Sequence, residues 1–425
     1  MKILLAYGET GLAVDLPEDR TTVLEPLHAE GLPDERAAVA AALRAPTAAQ
    51  PLADLARKAT RACVVFTDIT RATPNDRLIP WILDELRGLP REAVTLLNST
   101  GSHRPNTPAE LEKMLGREIV RGWRVLNHES DKEADLVQIG VTRNGAPALY
   151  NRHLIEADLR IITGFIEPHF FAGFSGGPKG ITPGCAGLAT IMANHGWANL
   201  ADARATFGIT GENPLWEELR ELALRVGPSF LVNVTLNAER RITGVFAGDL
   251  IQAHREGCAF VRRSAMRAVP SPFDVVVTTN SGYPLDLNLY QGVKGLSAGA
   301  RILKPGGTLI LAAECREGMP PGSPCDRLLR SAPTPAAVLE KLRTAPSPYP
   351  EQWQAQIQCR IQQRAEVHLY SAMPDAEVRA VHLLPCRDIA ATVRDALRRA
   401  GPAARVAVLP QGPLTIPYLA GSTDA

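Results

Sequence analysis

Short apolar, often β-branched runs recur along the chain, and each is followed by polar residues. A first series is "CVVF" (63–66), "VTLL" (94–97), "LRIIT" (159–163) and "FLVNVTL" (230–236). A second is "DVVVTTN" (274–280), "GTLILAA" (307–313), "EVHLYSA" (366–372) and "ARVAVLP" (404–410). Between them the apolar positions fall into helical spacing, as in "NDRLIPWILDELRGL" (75–89) and "PAELEKMLG" (108–116). Strands alternating with helices predict an α/β fold built on mostly parallel sheets covered by helices.

At 425 residues the chain exceeds the size at which one hydrophobic core keeps growing. Two domains are therefore expected, residues 1–268 and a Rossmann-like 269–425, with the active site in the cleft between them. The proline-bearing stretch "RRSAMRAVPSPFD" (262–274) is the expected hinge. The formal charge of +1 argues against nucleic acid or a membrane surface as partner, since both select a basic excess. No apolar run reaches the length of a membrane span, and the N-terminus meets acidic residues too early for a secretory signal. The seven cysteines contain no C-x-x-C pair and read as reduced, buried thiols. A cytoplasmic protein is expected.

In open α/β sheets, ligands bind beyond the carboxyl ends of the strands, so the residues after each run are the ones to weigh. "TDITRATP" brings Asp68, Thr70 and Arg71, "STGSHRPNT" brings His103, and "GFIEPHFF" brings His169. Arg71 offers a planar fork of donors for a carboxylate or phosphate, unless Asp68 or Thr70 merely caps the next helix. His103 is either a loop structural residue or an acid/base. His169, beside two phenylalanines, is either a core histidine or a general base. "SGYPLDLNLYQGVKG" places Tyr290, Gln291 and Lys294 on one helical face, which is otherwise an ordinary exposed helix start.

The stretch "GFSGGPKG" is the most specific. Ser175, Gly176 and Gly177 let backbone approach a ligand closely ahead of Lys179, but the Gly-Lys-Ser/Thr order of a nucleotide P-loop is missing. The amine suits an anion partner, a Schiff base or a covalently carried cofactor. His195 ends a helix expected from about Leu188, as a metal ligand or a C-terminal cation. Trp353 in "PEQWQAQ" reads as packing.

Taken together, "SHRPNTPAELEKMLG", "GFIEPHFFAGFSGGPKG", "TIMANH", "ITGVFAGD", "NSGYPLDLNLYQGVKG" and "EQWQAQI" resemble the nickel-pincer-dependent lactate racemase family of 2-hydroxyacid racemases and epimerases, over nearly the whole length. The resemblance implies a cytoplasmic isomerase. Its cofactor is a pyridinium mononucleotide whose thioamide and thiocarboxylate arms hold Ni(II), made by separate cofactor-synthesis enzymes. Lys179 would carry this nucleotide covalently and His195 would ligate the nickel. His103 and His169 would be the acid/base pair. Arg71, Gln291 and Lys294 would hold the substrate carboxylate, with Asp68, Tyr290 and Trp353 in support. Such chemistry is sensible: removing the C2 hydrogen as hydride avoids a carbanion beside a carboxylate, and two bases serve the two directions of the hydroxyl. Ser102 and Pro178 depart from the family pattern, where a bulky apolar residue and an arginine are frequent. Lactate, malate, aromatic hydroxyacids and sugar acids therefore all stay open. Two other readings are a non-catalytic cofactor store and a pyridoxal-phosphate enzyme using Lys179.

Overall fold

The computed structural model describes residues 1–27 and 29–421. The chain folds as two compact units, one of residues 28–195 and 209–264, the other of 1–27, 196–208 and 265–425. A unit boundary thus falls at Ser264/Ala265, within the proline-bearing stretch singled out in the sequence.

The first unit holds a six-stranded sheet in the order Ile242–Asp249, Phe230–Leu236, Leu159–Phe165, Ala62–Thr67, Val94–Ser99, Arg124–Asn127. Every neighbouring pair is parallel except the first, which is antiparallel. Successive residues of the central strand feed opposite faces. Val64 and Phe66 join a core with Leu78, Ile79 and Ile82 of the helix Asn75–Glu85. Cys63 and Val65 join a second core with Ile162, Ile191 and Leu222. Strands buried on both faces read as unbroken apolar runs, which is why they stand out in sequence. The strand order reverses between Ala62–Thr67 and Leu159–Phe165, so the loops leaving these two strands flank the switch point where such sheets bind ligands.

The second unit holds another six-stranded sheet, in the order Leu384–Cys386, Glu366–Tyr370, Leu303–Ala312, Phe273–Thr279, Val406–Leu409, Thr21–Val23, and all its pairs are parallel. Val275, Val277, Ile310, Val406 and Val408 pack with Ile389, Val393 and Leu397 of the helix Ile389–Ala400. The hairpin Lys2–Leu5/Leu12–Asp15 adds Ile3, Leu5 and Val14 to that core, and Leu16 just after it joins them. Its switch point lies between Phe273–Thr279 and Val406–Leu409, next to the segment leading into the helix Leu289–Ala300. All eight apolar runs are strands of these two sheets. All seven cysteines are unpaired and buried. Among the described residues, no helix is long and apolar enough to cross a membrane.

Phe66 is fully buried in the first sheet. Phe66→Ala should therefore destabilise its unit by about 3–5 kcal/mol. Leu4→Ala removes a side chain that is 66% exposed, and should stay within about 0.5 kcal/mol of wild type in the same urea unfolding series.

Candidate active site

Asp68 follows the strand Ala62–Thr67 and is 2% exposed. His103 Nδ1 lies 2.8 Å from its Oδ2, and the Thr70 hydroxyl donates to Oδ1 at 2.8 Å. Burial alone would raise this carboxyl, but the hydrogen bond and charge of His103, then the charge of Arg71, hold it below the usual carboxylate value. Neither Asp68 nor Thr70 caps the next helix, where Pro74 takes the N-cap position. Asp68 orients an imidazole instead. His103 sits in the loop after Val94–Ser99, with its side chain 45% exposed. Gly101 in the same loop donates its N–H to the Gly184 carbonyl at 3.0 Å, tying it to the segment that carries Lys179.

That segment begins after Leu159–Phe165 with a minimal hairpin, Pro168–His169 against Gly173–Phe174. His169 Nδ1 accepts from the backbone N–H of Ala172 at 3.2 Å and of Phe171 at 3.5 Å. The Phe171 ring is the common neighbour of three candidate groups. It meets His169 edge-on at 4.5 Å, meets His195 edge-on at 5.1 Å, and lies 5.7 Å from the Lys179 Nζ.

Lys179 lies in a single 3₁₀ turn, Gly177–Gly180. Gly176 and Gly177 have φ of +74° and +54°, and a Cβ on either would come within 2.3 Å of Asn233 Oδ1 or 2.4 Å of the His254 ring. Only glycine meets both demands. The turn is clamped from behind: Gly177 N–H donates to Asn233 Oδ1 at 2.7 Å, and His254 Nε2 donates to the Ser175 carbonyl at 2.9 Å. Ser175 serves the loop itself, its hydroxyl donating to the Phe165 carbonyl at 2.9 Å. Burial, and then the charge of Arg71, bring the Lys179 amine down to about 7.

His195 follows the helix Leu188–Asn194, is 5% exposed, and donates its N–H to the Ile191 carbonyl at 2.9 Å. Burial, and then the charge of Lys179, push its imidazole down to about 3. A ring held neutral in this way does not act as a helix-terminal cation. Around one switch point this unit therefore assembles a guanidinium, an amine able to be neutral, a neutral imidazole and a carboxylate-held imidazole.

The other unit carries Tyr290, Gln291 and Lys294 on the helix Leu289–Ala300, capped by Asn288, whose side chain accepts from Gln291 N–H at 3.2 Å. All three are partly exposed, while Gly292, Val293, Gly295 and Leu296 turn inward. Trp353, on the helix Gln352–Gln362, donates from Nε1 to the Tyr290 hydroxyl at 3.2 Å, so it is polar support as well as packing. Gln354 adds a donor to the Tyr290 carbonyl at 2.7 Å. Asn233 and His254 were not among the candidates read from sequence. Asn233 is the one amide inside "FLVNVTL", a signal that a buried polar group has a fixed partner; His254, in the polar helix Gln252–Ala265, gives no comparable signal.

Comparison with known proteins gives the chain a family. Residues 7–208 match the model of the lactate racemase N-terminal domain, and residues 268–416 match that of the lactate racemase C-terminal domain. A lactate racemase of Thermoanaerobacterium thermosaccharolyticum is 34% identical over 417 residues, covering 96% of this chain and 97% of the relative. A lactate racemase of Lactiplantibacillus plantarum is 34% identical over 420 residues, covering 94% of this chain and 98% of the relative. The structure of the lactate racemase apoprotein from T. thermosaccharolyticum superimposes with a TM-score of 0.92 at 33% identity, covering 98% of this chain and all of the other. A protein from Thermotoga maritima shares the fold, with a TM-score of 0.63 at 19% identity over 87% of this chain and 97% of its own. The chain belongs to the lactate racemase family.

Proposed function

We propose that this protein inverts C2 of a 2-hydroxyacid using a nickel-pincer nucleotide, with lactate as the first substrate to test because both relatives are named for it. The observation that carries the reading is the grouping of Arg71, Lys179 and His195 beside an Asp68–His103 pair at one switch point.

The residues fit such a group. Covalent attachment needs an unprotonated amine, and burial brings Lys179 into that range near neutral pH. A metal takes a neutral imidazole, and His195 is held neutral. Among the described residues no three His, Cys, Asp or Glu side chains cluster to hold a metal. His195 would hold the nickel ion, and Lys179 would hold the nucleotide that supplies its other donors. When bound, the group supplies hydride chemistry at C2 of the substrate.

The chain's own residues then bind, orient and move protons. The Arg71 guanidinium, with Gln291 and Lys294, would fix the carboxylate. His103 and His169 would exchange the hydroxyl proton on opposite sides. Tyr290 and Trp353 would brace the carboxylate-binding helix through their mutual hydrogen bond. A non-catalytic store has no use for Asp68 to orient His103, and that contact favours catalysis.

Protein co-expressed with the cofactor-synthesis enzymes should carry an adduct of nucleotide mass that Lys179→Ala abolishes. In the apoprotein, acylation of Lys179 should rise with pH through a half-point at about 7, since only the neutral amine reacts. Intact mass and peptide mapping check both; an adduct persisting on the alanine variant rules out the attachment site. Arg71→Lys should not be conservative, because an ammonium cannot make two parallel bonds to a carboxylate. A loss in kcat/KM worth about 2–3 kcal/mol is expected, and unchanged kinetics across a panel of 2-hydroxyacids would remove Arg71 from the site. Racemisation in D2O should leave the C2 hydrogen almost wholly protium by NMR. Stoichiometric deuterium at C2 would show proton abstraction instead and overturn the hydride reading.

A further inference from the structure

The two histidines meet different partners at the same ring atom. His103 Nδ1 faces Asp68 Oδ2 at 2.8 Å, and the carboxylate's other oxygen is already engaged by Thr70. An ionised carboxylate only accepts, so the hydrogen in that contact belongs to Nδ1. A neutral His103 then has its lone pair on Nε2. His169 Nδ1 instead faces two backbone N–H groups, those of Ala172 at 3.2 Å and Phe171 at 3.5 Å. Amide N–H groups only donate, so Nδ1 is the acceptor and a neutral His169 carries its hydrogen on Nε2.

The surroundings leave the hairpin little room to change this. Asn213 Nδ2 donates to the carbonyls of Phe171 and Ile209, each at 2.9 Å. Gly173 packs so closely that a Cβ there would lie 2.3 Å from the Ile209 carbonyl oxygen. The backbone N–H groups that fix His169 are thus themselves fixed.

We infer that His103 and His169 are held in opposite tautomers, His103 presenting a bare Nε2 that can accept a proton and His169 presenting an Nε2–H that donates a hydrogen bond and keeps its proton while the ring is neutral. The inference rests on the reading of these residues as the proton-exchanging pair. A substrate hydroxyl beside His103 passes its proton to Nε2 while Nδ1–H stays on Asp68, and no neighbouring group has to move. A hydroxyl beside His169 meets an occupied nitrogen. For that ring to accept at Nε2, its hydrogen must move to Nδ1, where the N–H groups of Phe171 and Ala172 oppose it, so the ring must turn or the hairpin 168–174 must open. The two enantiomers therefore meet unequal sites at rest, and Asp68 is the positioning residue that makes the difference.

The test is long-range 1H–15N NMR of histidine-labelled apoprotein on the alkaline plateau of each titration, with His103→Gln and His169→Gln used to assign the two spin systems. The expected result is an Nδ1-protonated pattern for His103 and an Nε2-protonated pattern for His169. Asp68→Ala should move His103 to the Nε2–H form and leave His169 unchanged; should that variant not fold, the wild-type spectrum decides alone. The same tautomer on both rings, or Nε2–H on wild-type His103, overturns the inference whatever the activity. Full racemase activity in cofactor-loaded His103→Gln would instead overturn the functional reading beneath it, so the two failures are separately visible.

Discussion

The arrangement depends on how closely the 175–184 segment lies against its sheet. At Gly180 a Cβ would sit 2.4 Å from Ile162 Cγ2, on the strand Leu159–Phe165, and the same exclusion holds at Gly176 and Gly177 against Asn233 and His254. Backbone pressed this close to packed side chains has few alternative positions. The lysine it carries is thereby held under desolvation beside Arg71 and His195. A looser loop would let the amine reach water, and its proton affinity would return toward the ordinary lysine range. Burial first, and then the charge of Arg71, set the state of Lys179.

Three basic groups in one place would repel one another, and the fold resolves this by letting only one carry charge reliably. Arginine is effectively always protonated, and its field, together with burial, works against a proton on Lys179. Lys179 in turn works against a proton on His195, where burial already dominates. Asp68 answers Arg71 and His103 from the other side. The result is a graded set: a guanidinium cation, an amine brought down to about 7 and an imidazole held neutral.

Much of this was legible in the chain because buried parallel strands write themselves as continuous apolar runs. All eight runs are strands, and the helix ending at Asn194 starts at Leu188 as its pattern suggests. Edge strands left weaker traces. Arg124–Asn127 is partly exposed along its length, and Thr21–Val23 is three residues long yet pairs with Val406–Val408 from the far end of the sequence. Nothing local marks a pairing of that separation. The site divides the same way. Glycines around Lys179 announce close approach, whereas the groups they approach, Asn233 and His254, belong to other elements and become visible only when the sheet is assembled.

Contact between ring atoms adds what residue types cannot supply. Two histidines after two strand ends look equivalent in sequence, and a reaction that works on both faces of a planar intermediate invites the assumption of symmetry. The sheet is not symmetric about its switch point, however. The loop leaving Ala62–Thr67 brings a side-chain carboxylate to His103, which sits in the loop after Val94–Ser99; the segment leaving Leu159–Phe165 folds back on itself and turns main-chain N–H groups toward His169. A carboxylate and an amide N–H ask opposite things of the same nitrogen. The doubly wound topology therefore gives chemically identical side chains different proton positions, and if these two rings are the proton-exchanging pair, use of His169 as a base calls for its ring to turn or for the 168–174 hairpin to open, because the surroundings are not matched.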